Sequence, residues 1–342
     1  MQRSCGRESF EKKGSFVTVS VSTGVSFNRV DQRESLASPA VAILMATYNG
    51  GMYLREQLDS FERQSHNHWV LHVSDDGSSD DTLELLEAFG ARCVGKLQLS
   101  QGPQRGFVAN FLSLVCQVKG DYQYYAWSDQ DDIWSVDKLE RAVAYLATIP
   151  ESVPALYCAR TQLIDAQGAP IGFSPRFILP PTFSNALVQS IGGGNTMVFN
   201  RAACALLREA GAGLELPSHD WWAYQLISGV GGHVFYDDVP ALLYRQHDGN
   251  LIGSNSSWSA RLFRMRLLLQ GRFGEWSEMN VAALAGMRHR LSSSNERVLA
   301  DFMRARKAKL PWRMLLVLRA RLYRQTLLGN LGLLAAVLLK KI

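Results

Sequence analysis

The chain has 342 residues, of which 47% are hydrophobic, 10% aromatic and 20% charged, enough for a full core in one large domain with an accessory element, or in two domains. Its net charge of +5 averages two unlike parts: residues 1–257 hold 19 Lys/Arg and 27 Asp/Glu, whereas residues 258–342 hold 17 and 4. A basic tail on an acidic body removes the basis for a general nucleic-acid-binding reading, and five scattered cysteines without metal-type spacing fit buried thiols in a reducing compartment.

Met1–Pro39 is rich in Ser, Gly and charge and lacks the apolar stretch of a secretory signal, so it is expected to be an unstructured leader. Organised structure begins at Val41, where VAILMATYN followed by Gly50-Gly51 reads as a buried parallel strand ending at a turn. Leu54, Leu58 and Phe61 have helical spacing over Tyr53–Gln64. A second strand, Trp69–Ser74, runs into Asp75-Asp76-Gly77-Ser78, and the helix after it carries Leu83, Leu86 and Phe89. A third strand is expected at Val94–Leu99, then a helix from about Val108, and a fourth strand running through YYAWS into Asp129. Asp137–Ile149 reads as a helix closed by prolines, Leu156–Leu163 as one strand, and the Pro-rich Gly168–Asn185 as irregular chain or a loop over the site. Three glycines precede Asn195 and another strand; helices follow at Arg201–Gly211 and Ser218–Ser228, and short strands at His233–Tyr236 and Ala241–Arg245. Alternating strands and helices with short joints predict an α/β layered domain on a mostly parallel sheet.

Ligands of open parallel sheets bind at the carboxyl ends of the strands. Three of the predicted strands end in polar or acidic residues: Thr47-Tyr48-Asn49, Asp75-Asp76, and Asp129 with Asp131. In extended backbone Asp129 and Asp131 point the same way, so both can face one ligand. Gathered on one edge, these groups make an anionic crevice suited to a divalent cation that reaches substrate through phosphates. The first strand is followed by no G-x-G-x-x-G, and the chain has no G-K-[ST] loop, which removes the best evidence for a dinucleotide site or a P-loop.

ATYNGGMYLREQLDS, VSDDGSSDDT and WSDQDDIWSVDKL resemble, in order and spacing, the inverting family-2 glycosyltransferases. The SDQDDIW form is most similar to a bacterial polysaccharide branch that includes many rhamnosyltransferases. The resemblance covers Val41 to about Asn255 and implies a GT-A fold, a nucleotide-sugar donor and a Mg²⁺ or Mn²⁺ ion. It further implies that Thr47, Tyr48, Asp75 and Asp76 line the base and ribose. Asp129 would face ribose and metal, Asp131 the metal, and His247 the metal or diphosphate. Asp220 in SHDWW matches the general base, its pKa expected to be lifted by Trp221 and Trp222. Arg105 departs from the family pattern, which commonly has Asn before the glycine at 106. Asp132 and Asp137 are read as structural.

The implied domains are 40–257 for the GT-A unit and 258–342 for a basic helical extension. Trp258–Leu269 and Leu310–Leu339 mix Arg and Lys with apolar faces, and the last apolar run of about thirteen residues is short of the roughly 20 that span a bilayer. Amphipathic helices on an anionic membrane face fit this pattern, giving a cytoplasmic, peripheral location and a glycan or lipid-linked glycan acceptor. Two other readings stay open on the residues alone: a metal-dependent nucleotidyltransferase, and a non-catalytic sugar- or membrane-binding protein of the same fold.

Overall fold

The structure, a computed structural model, describes residues 40–247 and 272–342. The expected leader, the Trp258–Leu269 helix and the 257/258 boundary lie outside the described residues. The element order is β1 Val41–Thr47, α1 Gly51–Glu62, β2 Trp69–Asp75, α2 Thr82–Arg92, β3 Leu97–Gln101, α3 Phe107–Gln117, β4 Tyr124–Ser128, β5 Ile133–Trp134 and α4 Lys138–Leu146. It continues with β6 Ala155–Ala159, β7 Gln162–Ile164, β8 Pro170–Phe173, α5 Phe183–Ala186, β9 Val198–Asn200, α6 Arg201–Ala210, α7 His219–Gly229, β10 His233–Asp237 and β11 Leu242–Arg245. The C-terminal helices are α8 Arg272–Gly286, α9 Ser293–Lys307, α10 Leu310–Arg319 and α11 Leu327–Leu338.

Seven strands form the main sheet in the order β10-β6-β9-β4-β1-β2-β3, and β5-β11-β7-β8 form a smaller one. Within the main sheet β9 alone runs antiparallel to its neighbours, β4 and β6. The alternation of β1 explains why helices cover both faces. Val41, Ile43 and Met45 pack with Leu54, Phe61, Leu86, Phe89 and Leu139 of α1, α2 and α4. Ala42 and Leu44 point the other way, toward Phe111, Trp222 and Leu226 of α3 and α7. Each such fully buried aliphatic or aromatic side chain contributes about 1.5–3 kcal/mol.

Two expected strands move. The third begins later, at Leu97, because Lys96 N–H closes a turn on the Cys93 carbonyl (2.9 Å) around Gly95, whose φ is +79°. The expected strand Leu156–Leu163 divides into β6 and β7. Arg160 at the break donates its N–H to Asp237 O and accepts from Ala241 N, so the chain leaves the main sheet there and joins the small one. Within Gly168–Asn185 lie β8 and the single-turn α5, whose Thr182 cap accepts from Asn185 N. Local capping also starts α6, where Asn200 accepts from Ala203 N, and α7, where Ser218 accepts from Trp221 N.

The described residues, 40–247 and 272–342, fall in one compact unit. Leu284, Phe302, Ala305, Leu333 and Val337 of α8, α9 and α11 join the core on the α3/α7 side of the sheet. The four described cysteines are unbridged. Among the described residues no helix is long and apolar enough to cross a membrane.

Candidate active site

Strand register assembles the site. Thr47 pairs with Asp75 across β1 and β2, and Met45 with Ser128 across β1 and β4, so Thr47, Asp75 and Asp129 leave the sheet at one edge. Thr47 Oγ1 donates to Asp75 Oδ2 (2.8 Å), which also accepts from Ser78 Oγ (2.6 Å), while Oδ1 takes the N–H groups of Gly77 and Ser78. Burial opposes the charge of Asp75, but these donors outweigh it and hold the carboxyl below its usual range. Asp76 accepts Gln104 N (2.7 Å) on one oxygen and Gly106 N (3.0 Å) on the other. Both carboxylates thus shape the loops around the crevice. Arg105 lies in the loop clasped by Asp76 and is exposed.

Gln130 lies between the two aspartates in the bend that follows β4. Its side-chain amide clasps the Tyr48 backbone at both ends, accepting from the N–H (2.9 Å) and donating to the carbonyl (3.1 Å). This fixes the first loop against the fourth and leaves the Tyr48 ring 59% exposed beside the crevice. Sequence spacing treated Gln130 as a spacer; its role depends on a contact 82 positions away.

Asp129, Asp131 and Asp132 each bring a carboxylate oxygen within 4.8 Å of the others'. Burial, then the charges of Asp131 and Asp220, push Asp129 up to about 7, against an opposing pull from Lys138. His247 Nε2 lies 2.8 Å from Asp131 Oδ2, so the end of β11 does reach the D-x-D segment. The tyrosine ring of Tyr53 packs on His247 at 4.8 Å. Crowded oxygen donors carrying uncompensated negative charge, with one imidazole at the rim, fit a hard divalent cation.

Asp132 is fully buried. Asn195 Nδ2 donates to its Oδ2 (2.6 Å) and Arg245 N to its Oδ1 (3.3 Å). Lys138, also fully buried, donates to the Asn195 carbonyl (2.5 Å), and its ammonium stands 3.2 Å over the Trp134 ring centroid. Burial drives Lys138 well below its normal pKa, while Asp132 and Asp129 pull it back up. Arg245 is 1% exposed; its guanidinium reaches the Asp131 carbonyl (3.1 Å), the Ala166 carbonyl (3.2 Å) and Glu56 (2.9 Å). Arg245 thus pins the turn that carries Asp131 to the strand that delivers His247.

Asp220 sits in the first turn of α7. Gly194 N donates to its Oδ2 (3.1 Å), and Ser218 Oγ and Trp221 N donate to its Oδ1. The expected apolar setting from the two tryptophans is not what its oxygens meet: the Trp221 indole turns to the Ala186 carbonyl (2.6 Å), and Trp222 is buried in the core. A continuous set of bonds therefore joins two distant segments. Asp132 holds Asn195, the preceding Gly194 holds Asp220, and Lys138 anchors the turn from below. The glycine run supplies the closeness that makes this possible, because a Cβ on Gly194 would collide with the His219 ring. His219 is buried between Phe111 (4.0 Å, stacked) and Trp127 (4.7 Å, edge-on), and burial lowers its pKa to about 4, so it is neutral. Neither Asn195 nor Lys138 was selected from the sequence. The Gly-Gly-Gly-Asn spacing was the signal for the first; the second is one lysine on an otherwise apolar helix face.

The fold is a mostly parallel sheet of GT-A type, with three aspartates clustered beyond the carboxyl end of β4. Residues 42–201 match the family model described as Glycosyl transferase family 2. The chain is 28% identical over 255 residues to dTDP-rhamnosyl transferase RfbG of Shigella flexneri, covering 70% of this chain and 83% of that one. It is 31% identical over 111 residues to the putative glycosyltransferase EpsE of Bacillus subtilis, covering 32% and 39% of the respective chains. Its fold is similar to that of S. aureus TarS 1–349, solved in complex with UDP-GlcNAc, with a TM-score of 0.51, 15% identity and 88% of each chain covered. Residues 42–201 thus match a glycosyl transferase family 2 domain, and the chain shares its fold with TarS.

Proposed function

We propose that the protein transfers a sugar, rhamnose, from a nucleotide-sugar to a hydroxyl of a glycan or lipid-linked glycan, with inversion at the anomeric carbon. The observation that carries the reading is geometric: Asn195 holds Asp132 (2.6 Å) while the adjacent Gly194 N donates to Asp220 (3.1 Å), so one turn ties the D-x-D segment to a carboxylate some ninety residues downstream. The similarity to RfbG supports rhamnose as the donor sugar.

In this reading Thr47, Tyr48, Asp75 and Asp76 form the wall against which the base and ribose lie. Asp129, Asp131 and His247 hold Mg²⁺ or Mn²⁺. When bound, that ion offsets the negative charge that builds on the leaving diphosphate. Asp220 accepts the proton of the acceptor hydroxyl, which attacks from the face opposite the diphosphate. Gly194 N and Ser218 Oγ aim its carboxylate. Asp132, Asn195 and Lys138 keep the donor-binding and acceptor-binding halves in register. Residues 40–257 constitute the catalytic unit, and residues 258–342 hold it at the cytoplasmic face of the membrane.

The test is turnover of a panel of nucleotide-sugars, dTDP-rhamnose among them, with and without Mg²⁺ or Mn²⁺. Metal-dependent release of a nucleoside diphosphate, with an inverted linkage in the product, is expected. Release of pyrophosphate instead would move the protein to nucleotidyl transfer; retention of configuration would remove Asp220 from its role as base.

A further inference from the structure

The C-terminal helices bury one face and leave the other uncovered. In α11, Leu333, Ala336 and Val337 are buried in the core shared with α3 and α7. The opposite side presents Leu327, Leu331, Leu334 and Leu338, at 78%, 54%, 43% and 49% exposure. The spacing i, i+4, i+7, i+11 places these four leucines in one stripe along the helix. In α10 the pattern recurs: Arg313 is buried and bonds the Val337 carbonyl (2.7 Å), while Trp312, Leu315 and Leu318 are half or more exposed. Two successive helices therefore each turn an apolar face away from the rest of the described residues.

Charge decides what suits those faces. Phe302–Ile342 contains ten Lys/Arg and no Asp or Glu. Lys307, Lys309, Arg321 and Lys340 are exposed, clustered around the ends of the two helices. Self-association through this surface would set these cations against their copies, whereas an anionic lipid bilayer complements them and accepts the leucines below its headgroups. Length fixes the mode. Twelve residues of helix extend about 18 Å, well under the roughly 30 Å of a hydrocarbon core, so α11 can lie in the interface but not cross it.

We infer that the exposed leucine stripe of α11, with the Trp312 face of α10 and the surrounding Lys/Arg, is a docking surface for an anionic phospholipid bilayer. This stands independently of the donor and of the role of Asp220. It places the catalytic unit at a lipid surface by a contact whose apolar part supplies depth and whose cationic part supplies selectivity for negative headgroups.

Flotation of the full chain with vesicles of phosphatidylglycerol and phosphatidylcholine, against phosphatidylcholine alone, tests it. Binding should require phosphatidylglycerol and weaken between 0.05 and about 0.5 M salt as the Debye length contracts. Replacing two exposed residues, Leu331→Glu with Leu334→Glu, should cut partitioning by about tenfold or more, through lost apolar burial and repulsion from the lipid. Lys340→Glu with Lys341→Glu should cut it by a similar factor and reduce the salt dependence. Donor turnover and melting temperature of both variants should match the parent, because none of the four side chains belongs to the crevice. Unchanged flotation of the leucine variant would overturn the proposal. So would a parent that is a dimer by light scattering and becomes monomeric in that variant, since the face would then be a self-association surface.

Discussion

The sheet-edge crevice and the C-terminal helices treat polar and apolar groups in opposite ways. Around the D-x-D pair the carboxylates already meet donors from the chain: Asp75 from Thr47 and Ser78, Asp76 from Gln104 and Gly106, Asp132 from Asn195 and Arg245, Asp220 from Gly194 and Ser218. Such groups are held before a ligand arrives, which is what positioning of reacting atoms needs. On α10 and α11 the leucines Leu318, Leu327, Leu331 and Leu338 are about half or more exposed, and Lys307, Lys309, Arg321 and Lys340 are exposed around them. We assign them a lipid surface as their complement. One region is organised from within and the other toward a partner, so substitutions should divide accordingly.

The strongest way to break the crevice without disturbing the helices is Asp220→Asn. Transfer should fall by about 10²–10⁴-fold, while donor and metal affinity by isothermal titration stay near the parent's. Asp131→Asn should do the reverse, losing metal-dependent donor binding together with turnover, since it removes a charge where the metal sits. If Asp220→Asn loses affinity as steeply as rate, that residue belongs to donor binding and the base must be sought among Asp237, Asp238 and Asp248, the last outside the described residues.

A smaller effect sharpens the link between the two halves. Asn195→Ala leaves Asp132 Oδ2 without its donor and loosens the turn that aims Asp220. A drop of about 10²-fold in kcat with little change in donor KM is expected. Asn195→Asp should not restore activity, because it sets a new carboxylate against Asp132. Equal loss in KM and kcat would reduce Asn195 to a general packing role.

Stability should follow. Lys138→Met removes a buried cation beneath Asp132 and Asp129 and should destabilise by about 3–5 kcal/mol, read as a lower urea midpoint. Asp129 gives the smallest and most diagnostic signal. Its folded-state pKa of about 7 exceeds the unfolded value near 3.9. The stability it contributes is therefore complete below about pH 4 and lost as pH rises through about 7. Metal-free Asp129→Asn should lack this fall, differing from the parent by about 2–6 °C in its Tm change between pH 5 and pH 8. Saturating Mg²⁺ or Mn²⁺ should raise the parent's Tm more at pH 8 than at pH 5, because protons and metal compete for one carboxylate. An identical pH profile in parent and variant would mean that Asp129 is not the titrating group.

Much of the architecture was legible in the chain, for physical reasons that are local. Apolar runs such as VAILMAT specify strands buried on both faces, and Ser218 announces the start of α7 because a helix terminus needs a side-chain acceptor. The acidic strand ends mark the sheet edge for the same reason: charge ends burial. Composition alone separated the acidic body from the basic tail. Other features required the third dimension. The break of Leu156–Leu163 into two strands of different sheets depends on Arg160 meeting Asp237 and Ala241, from strands far along the chain. Gln130, Asn195, Lys138 and Arg245 act through partners 57 to 189 positions away, a separation that no periodicity encodes. Tertiary packing also decided that the oxygens of Asp220 meet hydrogen-bond donors and not indole rings. Residue type and spacing set which groups come to an edge; only the folded chain sets which donor each oxygen finds there, because a hydrogen bond is satisfied by proximity in space and is indifferent to distance in sequence.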